Sequence, residues 1–139
     1  MGRGWGLKLL ALILTSSASG FAHDPSSSLG VTAILHIEPN DRPVVGGFVK
    51  LWLNVIDAGD LEVTPRNCQC RITVLTSPNS PGKKPIIEVI PPERALRLET
   101  GLRFASAGTH LLLLDAKPRG GSPLSPFKLL FFIEVQAAR

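Results

Sequence analysis

The stretch Phe48-Val-Lys-Leu-Trp-Leu-Asn-Val-Ile56 decides the fold, because its aliphatic side chains recur at every second position. In an extended chain, successive side chains point to opposite faces, so the aliphatic residues from Val49 to Val55 share one face. Trp52 lies on the other face, between two polar residues. This period-two alternation predicts a β-strand with one buried face.

Similar short apolar runs follow one another on both sides of this strand, separated by turns. The chain has 12 prolines and 13 glycines, which favour short elements over long helices. The predicted strands are Val31–Ile37, Phe48–Ile56, Leu61–Val63, Cys68–Leu75, Ile86–Ile90, Leu96–Glu99, Gly108–Asp115 and Phe127–Val135. Their spacing of roughly 8–12 residues is typical of a sandwich or barrel. We therefore predict an all-β, immunoglobulin-like antiparallel β-sandwich of seven to eight strands, with a small barrel as the alternative.

Residues 1–22 have the pattern of a secretory signal peptide. Arg3 and Lys8 are followed by the apolar run Leu9–Leu14, and the small residue Ala22 suits cleavage by a signal peptidase. Cleavage there leaves residues 23–139 as a single domain that is exported to the periplasm or the extracellular space. The alternative is an uncleaved segment over residues 7–22 that anchors the chain to the membrane, which would be its one link to a membrane.

Composition and charge narrow the class of protein further. Hydrophobic residues make up 44% of the 139 residues and charged residues 19%, which is too apolar for a disordered chain. Removal of the signal lowers the formal net charge from +4 to +2. The remaining basic residues are scattered or lie in loops, whereas a nucleic-acid-binding protein needs a dense basic face. We therefore expect no nucleic-acid partner.

The sequence contains no motif for catalysis. It has no G-x-S-x-G or H-E-x-x-H motif, no glycine-rich phosphate loop and no nucleotide-binding fingerprint. A sandwich of this size also leaves little room for a deep pocket. We therefore expect that the chain is not an enzyme.

The run Phe104-Ala-Ser-Ala-Gly-Thr-His-Leu-Leu-Leu-Leu114 resembles the F-x-x-x-G-x-Y-x-L-x-V corner of exported immunoglobulin-like domains. These include the YtkA-like group of bacterial periplasmic proteins. The layout also resembles small uncharacterised exported proteins of cyanobacteria that carry a C-x-C strand. The resemblance implies an immunoglobulin-like fold and an exported location. It differs at His110, where the corner usually has an aromatic residue, and a fold alone does not define a function.

Cys68 and Cys70 form a C-x-C pair with three interpretations. Residues two apart on a strand point to the same face, so both thiols are predicted to line up with Ile72 and Val74. They are small buried core residues, or a bonded or redox-active pair, or soft ligands that suit copper or zinc. A regular strand holds such positions too far apart for a disulfide, although Pro65 and Asn67 could bend the chain enough.

Three histidines are further candidates for a metal site. Cleavage after Ala22 would give His23 a free amine beside its imidazole, a pair that suits copper. His36 is predicted to be a half-exposed sheet residue near Glu38. His110 shares a face with Leu112 and Leu114, so it is either a core substitute for the corner aromatic or a third ligand for the cysteine pair.

The last strand and the strand that decides the fold carry apolar side chains on both faces. Leu130 and Phe132 alternate with the aliphatic face of Phe127–Val135, as Trp52 does in its own strand. If these three residues lie on one outer sheet face, they form a patch that predicts contact with a partner. The alternative is that a loop such as Lys117–Pro126 covers them.

Together these features predict an exported, non-catalytic binding or assembly module whose partner is a protein or another component of the cell envelope. The alternative function is a periplasmic copper-binding or copper-delivery protein that uses Cys68, Cys70 and one histidine, with His23 and His110 as the candidates.

Overall fold

Two antiparallel four-stranded sheets pack face to face in the computed structural model, which describes residues 25–28, 30–76 and 84–139. The strands are β1 (Pro25–Ser28), β2 (Val31–Glu38), β3 (Phe48–Ile56), β4 (Cys68–Thr76), β5 (Ile87–Val89), β6 (Leu98–Arg103), β7 (Gly108–Pro118) and β8 (Phe127–Val135). The first sheet has the order β1-β2-β3-β6, and the second sheet has the order β5-β4-β7-β8. This arrangement confirms the predicted all-β sandwich. Among the described residues, no helix is long and apolar enough to cross a membrane.

The core lies between the two sheets. It consists of the inward-facing side chains, which alternate along each strand with outward-facing ones. In β8, for example, every odd-numbered residue from Phe127 to Val135 is buried and every even-numbered one is exposed. Such alternation buries one face of each sheet and leaves the other facing outward. The loop between β7 and β8 contributes Leu124 to the same core.

One predicted strand does not form, and one strand of the structure is not among the predicted ones. The predicted strand Leu61–Val63 is reduced to a bridge between Ile56 and Glu62. The chain turns back there because Asp57 Oδ1 accepts hydrogen bonds from the backbone N–H of Gly59 and Leu61, at 2.9 and 2.8 Å. The edge strand β1 was not predicted, because its sequence Pro-Ser-Ser-Ser has no apolar alternation; it pairs antiparallel with β2.

The chain that follows β8 links the two sheets. Gln136 forms a parallel bridge with Val44, in the connection between β2 and β3. The backbone N–H of Val45 donates to Gln136 O at 3.0 Å, and the backbone N–H of Gln136 donates to Pro43 O at 2.9 Å. These bonds fix the end of the second sheet against the first.

Candidate functional site

Cys68 and Cys70 form a disulfide at the start of β4, and both residues lie in the core with 0% and 1% exposure. Their Cα atoms are 5.3 Å apart. Two residues of a regular strand span about 6.7 Å, which is close to the upper limit for a disulfide, so β4 is contracted here to a separation well inside the usual range. Of the three interpretations of the C-x-C pair, the structure shows a bonded pair that is also buried, with the chain bent before β4 in the region of Pro65 and Asn67.

A tight turn before β4 explains this contraction. The backbone N–H groups of Asn67 and Cys68 both donate to Thr64 O, at 3.1 and 3.0 Å, and Asn67 Oδ1 accepts from the Thr64 N–H at 3.0 Å. Because these bonds hold the chain in a compact turn up to Cys68, the first residues of β4 do not start from a fully extended conformation. Arg119 stabilises the same turn, because its Nε donates a hydrogen bond to Pro65 O at 3.0 Å.

His110 is buried at the opposite end of β7, with 1% exposure. Its ring makes an edge contact with Phe104, with the centroids 4.7 Å apart, and its Nδ1 lies 3.1 Å from Gly108 O. The Nε2 atom is buried and has no hydrogen-bond partner among the described residues. His110 is therefore a buried residue at the start of β7 that packs against Phe104.

The structure does not bring the predicted copper ligands together. Cys70 of β4 pairs with Ala116 of β7, whereas His110 lies six residues before Ala116 and pairs with Thr76. Six residues of strand correspond to about 20 Å, so the His110 imidazole cannot reach the cysteine sulfurs. Within residues 25–28, 30–76 and 84–139, no group of three or more His, Cys, Asp or Glu side chains could hold a metal ion. His23 and the segment 1–22 lie outside the described residues.

Trp52 lies on the outer face of the first sheet, where two neighbouring side chains cover its ring. The His36 ring stacks on it with the centroids 3.9 Å apart and an angle of 12° between the planes. The Arg97 guanidinium lies 4.4 Å from the indole centroid, and its Nε donates to Glu99 Oε2 at 2.9 Å. Stacking and the cation–π contact hold the indole in place. His36 is half-buried, as predicted.

Leu130 and Phe132 lie on the outer face of the second sheet, so they share no face with Trp52. The patch predicted from these three residues is therefore divided between opposite sides of the molecule. Leu130 is 43% exposed and Phe132 is 55% exposed. The loop Lys117–Pro126 does not cover them, since its apolar residue Leu124 points into the core instead.

Three leucines that were not singled out from the sequence join Leu130 and Phe132 on this outer face. Register places Leu75, Leu111 and Phe132 in one row across the sheet, and Leu113 and Leu130 in the next row. Leu111 is 8% exposed and lies outside the core cluster. The sequence feature that points to this face is the run Leu111–Leu114, which is apolar at every position and therefore on both faces of the strand. We call these five residues the apolar patch.

Charged side chains border the apolar patch at both ends. On one side, Arg71, Asp115 and Lys128 form a row across β4, β7 and β8. Arg71 Nε also lies 3.4 Å from Glu88 Oε1, in an exposed salt bridge. On the other side, Thr109 Oγ1 donates a hydrogen bond to Glu134 Oε1. An apolar centre with a charged rim is the usual pattern of a surface that binds another macromolecule.

Comparison with known proteins supports the fold. No protein-family model matches the chain, and no curated protein matches it in sequence. The crystal structure of the PmoD soluble domain from Methylocystis sp. ATCC 49242 (Rockwell) is similar to it, with a TM-score of 0.55 and 10% sequence identity. The match covers 80% of this chain and 96% of that domain. At this identity the likeness shows the β-sandwich fold alone, and the closer resemblance to the YtkA-like group stays a prediction.

Proposed function

We propose that this chain is an exported, non-catalytic binding or assembly module that contacts its partner through the outer face of the second sheet. The observation that carries the proposal is the apolar patch, whose members Leu130 and Phe132 are 43% and 55% exposed. Soluble proteins rarely expose contiguous apolar rows unless another molecule covers them. The partner is a protein or another component of the cell envelope.

The opposite outer face makes a poorer contact surface. There, His36 and Arg97 cover Trp52. The other outward aromatic side chain of β3 is Phe48, which is 57% exposed and has the Arg103 guanidinium 5.8 Å from its ring centroid. Contact energy at interfaces concentrates on exposed apolar and aromatic side chains that lose water on binding. The second sheet offers such side chains in two adjacent rows, whereas strands β2, β3 and β6 of the first sheet leave one of them exposed, Phe48. We therefore assign the contact to the second sheet.

Site-specific photo-crosslinking in the exporting host tests this assignment. A photoreactive phenylalanine analogue at Phe132 is expected to give covalent adducts on illumination of intact cells. The matched control carries the same analogue at Asn54, an exposed residue on the outer face of the first sheet. Adducts at position 132 and none at position 54 support the proposal. Equal adducts at both positions, or none at position 132, contradict it.

A second candidate function is copper binding by the reduced cysteine pair. The disulfide shows that both sulfurs reach the same point on one face of β4. Once reduced, two adjacent thiolates are soft ligands that favour Cu(I). The oxidised pair has no thiolate to offer, and burial at 0% and 1% exposure keeps both residues away from solvent. The copper function is therefore limited to a reduced and opened form of this end of the sandwich.

Native mass spectrometry separates the two candidate functions. The protein is purified from the exporting host, reduced with a phosphine, and mixed with Cu(I) at equal concentration. A one-to-one adduct that a Cys68→Ser, Cys70→Ser variant does not form supports copper binding. A reduced protein that stays free of metal, or an adduct that persists in the variant, contradicts it.

A further inference from the structure

The outward side chains of β4, β7 and β8 include four successive rows, and the order of these rows is the basis of this inference. The edge strand β5 adds Glu88 beside Thr73. Two apolar rows lie in the middle, and one charged or polar row lies on each side. In order along the strands, the rows are Arg71–Asp115–Lys128, Thr73–Leu113–Leu130, Leu75–Leu111–Phe132 and Thr109–Glu134. The edge strand β8 therefore presents Lys128, Leu130, Phe132 and Glu134 to the outside in that order.

We propose that the partner on this face is a second copy of the same chain. This rests on the proposed function and names its partner. The two copies pack outer face to outer face, about a twofold axis that crosses the strands between the two apolar rows. The rotation places Leu130 against Phe132 of the partner subunit and Leu113 against Leu111 of the partner subunit. An isologous interface makes each of these contacts twice.

Charge complementarity selects this arrangement. The same rotation places Lys128 opposite Glu134 of the partner subunit, at both ends of β8. Lys128 is exposed, and the salt bridges formed within the described part of the chain do not include it. Glu134 accepts one hydrogen bond from Thr109 and has a second carboxylate oxygen. Opposite charges at the rim of an apolar contact set its orientation.

A twofold axis parallel to the strands would give the opposite result. It would exchange β4 with β8 across the interface, because these strands flank β7. Arg71 would then face Lys128 of the partner subunit, since both residues lie in the same row. Like charges in contact disfavour that docking mode. The surface therefore specifies one twofold arrangement over the other.

The size of the surface sets the strength expected of the dimer. Three strands about 4.8 Å apart and four rows about 7 Å apart give a footprint of roughly 400 Å² on each copy. That is smaller than the roughly 800 Å² per partner of a standard stable interface. We therefore expect a reversible dimer that forms as the concentration rises, in equilibrium with the monomer.

Sedimentation equilibrium with charge-reversal variants tests the arrangement. Lys128→Glu and Glu134→Lys each place like charges opposite one another, and each is expected to raise the dimer dissociation constant at least about tenfold. The double variant restores opposite charges, and its dissociation constant is expected to return to within about threefold of the original value. The matched control is Lys117→Glu, which changes an exposed charge on the same sheet outside the four rows and should leave the equilibrium unchanged.

The outcomes separate this inference from the proposed function on which it rests. A chain that stays monomeric at every concentration overturns the dimer. So does self-association that neither single variant weakens, or that the double variant does not restore. Adducts of position 132 with a different protein, together with a monomeric chain, overturn the dimer and leave the contact surface in place. A monomeric chain without adducts at position 132 overturns both.

Discussion

His110 is buried among apolar side chains, and its two ring nitrogens are in different environments. Nδ1 lies near Gly108 O, whereas Nε2 has no partner among the described residues. A buried polar atom that lacks a hydrogen bond costs about 1–3 kcal/mol relative to water. The residue is therefore retained at some cost in stability, in a position where the ring itself fills space beside Phe104.

The substitution His110→Phe tests this view of the residue. It keeps an aromatic ring in the site and removes the unpartnered nitrogen, and the carbonyl of exposed Gly108 can turn to water. We expect the free energy of unfolding to stay the same or to rise by about 1–2 kcal/mol. The matched variant His110→Ala leaves a cavity and should lower it by about 3 kcal/mol. Urea unfolding measures both, and an equal loss in the two variants would contradict the role assigned to the ring.

The disulfide closes a very short loop, since its cysteines are separated by 2 positions in sequence. Loop-closure entropy depends on loop length, so this bond should stabilise the fold by only about 1.5 kcal/mol. The free energy of unfolding, measured in urea, is therefore expected to be lower by that amount for protein refolded in a phosphine reductant than for the oxidised protein. The Cys68→Ala, Cys70→Ala variant serves as the control, because the reductant should not affect it. Failure of the reduced protein to fold would show that the bond does more than close a loop.

At the scale of the elements, strand β8 provides the clearest test of register. Phe131 points into the core with 6% exposure, and its neighbour Phe132 points outward with 55% exposure. Phe131→Ala should therefore lower the free energy of unfolding by about 3–5 kcal/mol, and Phe132→Ala by less than about 1 kcal/mol. Urea unfolding of the two variants makes the comparison. The reverse order would mean that β8 is shifted by one residue, which exchanges its two faces.

The strands that alternate most regularly were the most predictable from the sequence. The structure gives β3 and β8 the predicted bounds, because one full face of each strand is apolar. Strand β6 begins at Leu98 instead of Leu96, which is 88% exposed. Strand β1 has no apolar face, so its place at the sheet edge depends on backbone pairing that a side-chain pattern does not reveal.

The candidate site was less predictable, because alternation shows which residues share a face of one strand but not which sheet the strand joins. Trp52 and Phe132 were each placed correctly on a face opposite an aliphatic one. The structure assigns their strands to different sheets, and this separates them. Likewise, the distance between His110 and the cysteine pair follows from the register of β4 with β7, which the sequence leaves open.

At the scale of the whole molecule, the two outer faces differ in how much apolar and aromatic side chain they expose to solvent. The first sheet covers Trp52 with a histidine and an arginine, and ion pairs join that arginine to Glu99 and Glu38 at 2.9 and 3.8 Å. Phe48, at the start of β3, is 57% exposed. The second sheet leaves leucine and phenylalanine side chains exposed between charged rows. The larger contiguous apolar surface therefore lies on the second sheet, which suits the molecule to dock in one orientation.

The disulfide agrees with the predicted export, because disulfides persist in oxidising compartments and thiols stay reduced in the others. We therefore expect the protein purified from an exporting host to begin at His23 and to carry the Cys68–Cys70 bond. Its intact mass should equal that of residues 23–139, less two hydrogens. The control variant Ala22→Arg places a large charged residue at the cleavage position, so it should keep residues 1–22 and stay with the membrane fraction. A wild-type mass that includes residues 1–22 would instead indicate the anchor over residues 7–22, and the apolar patch would then face its partner from the membrane surface.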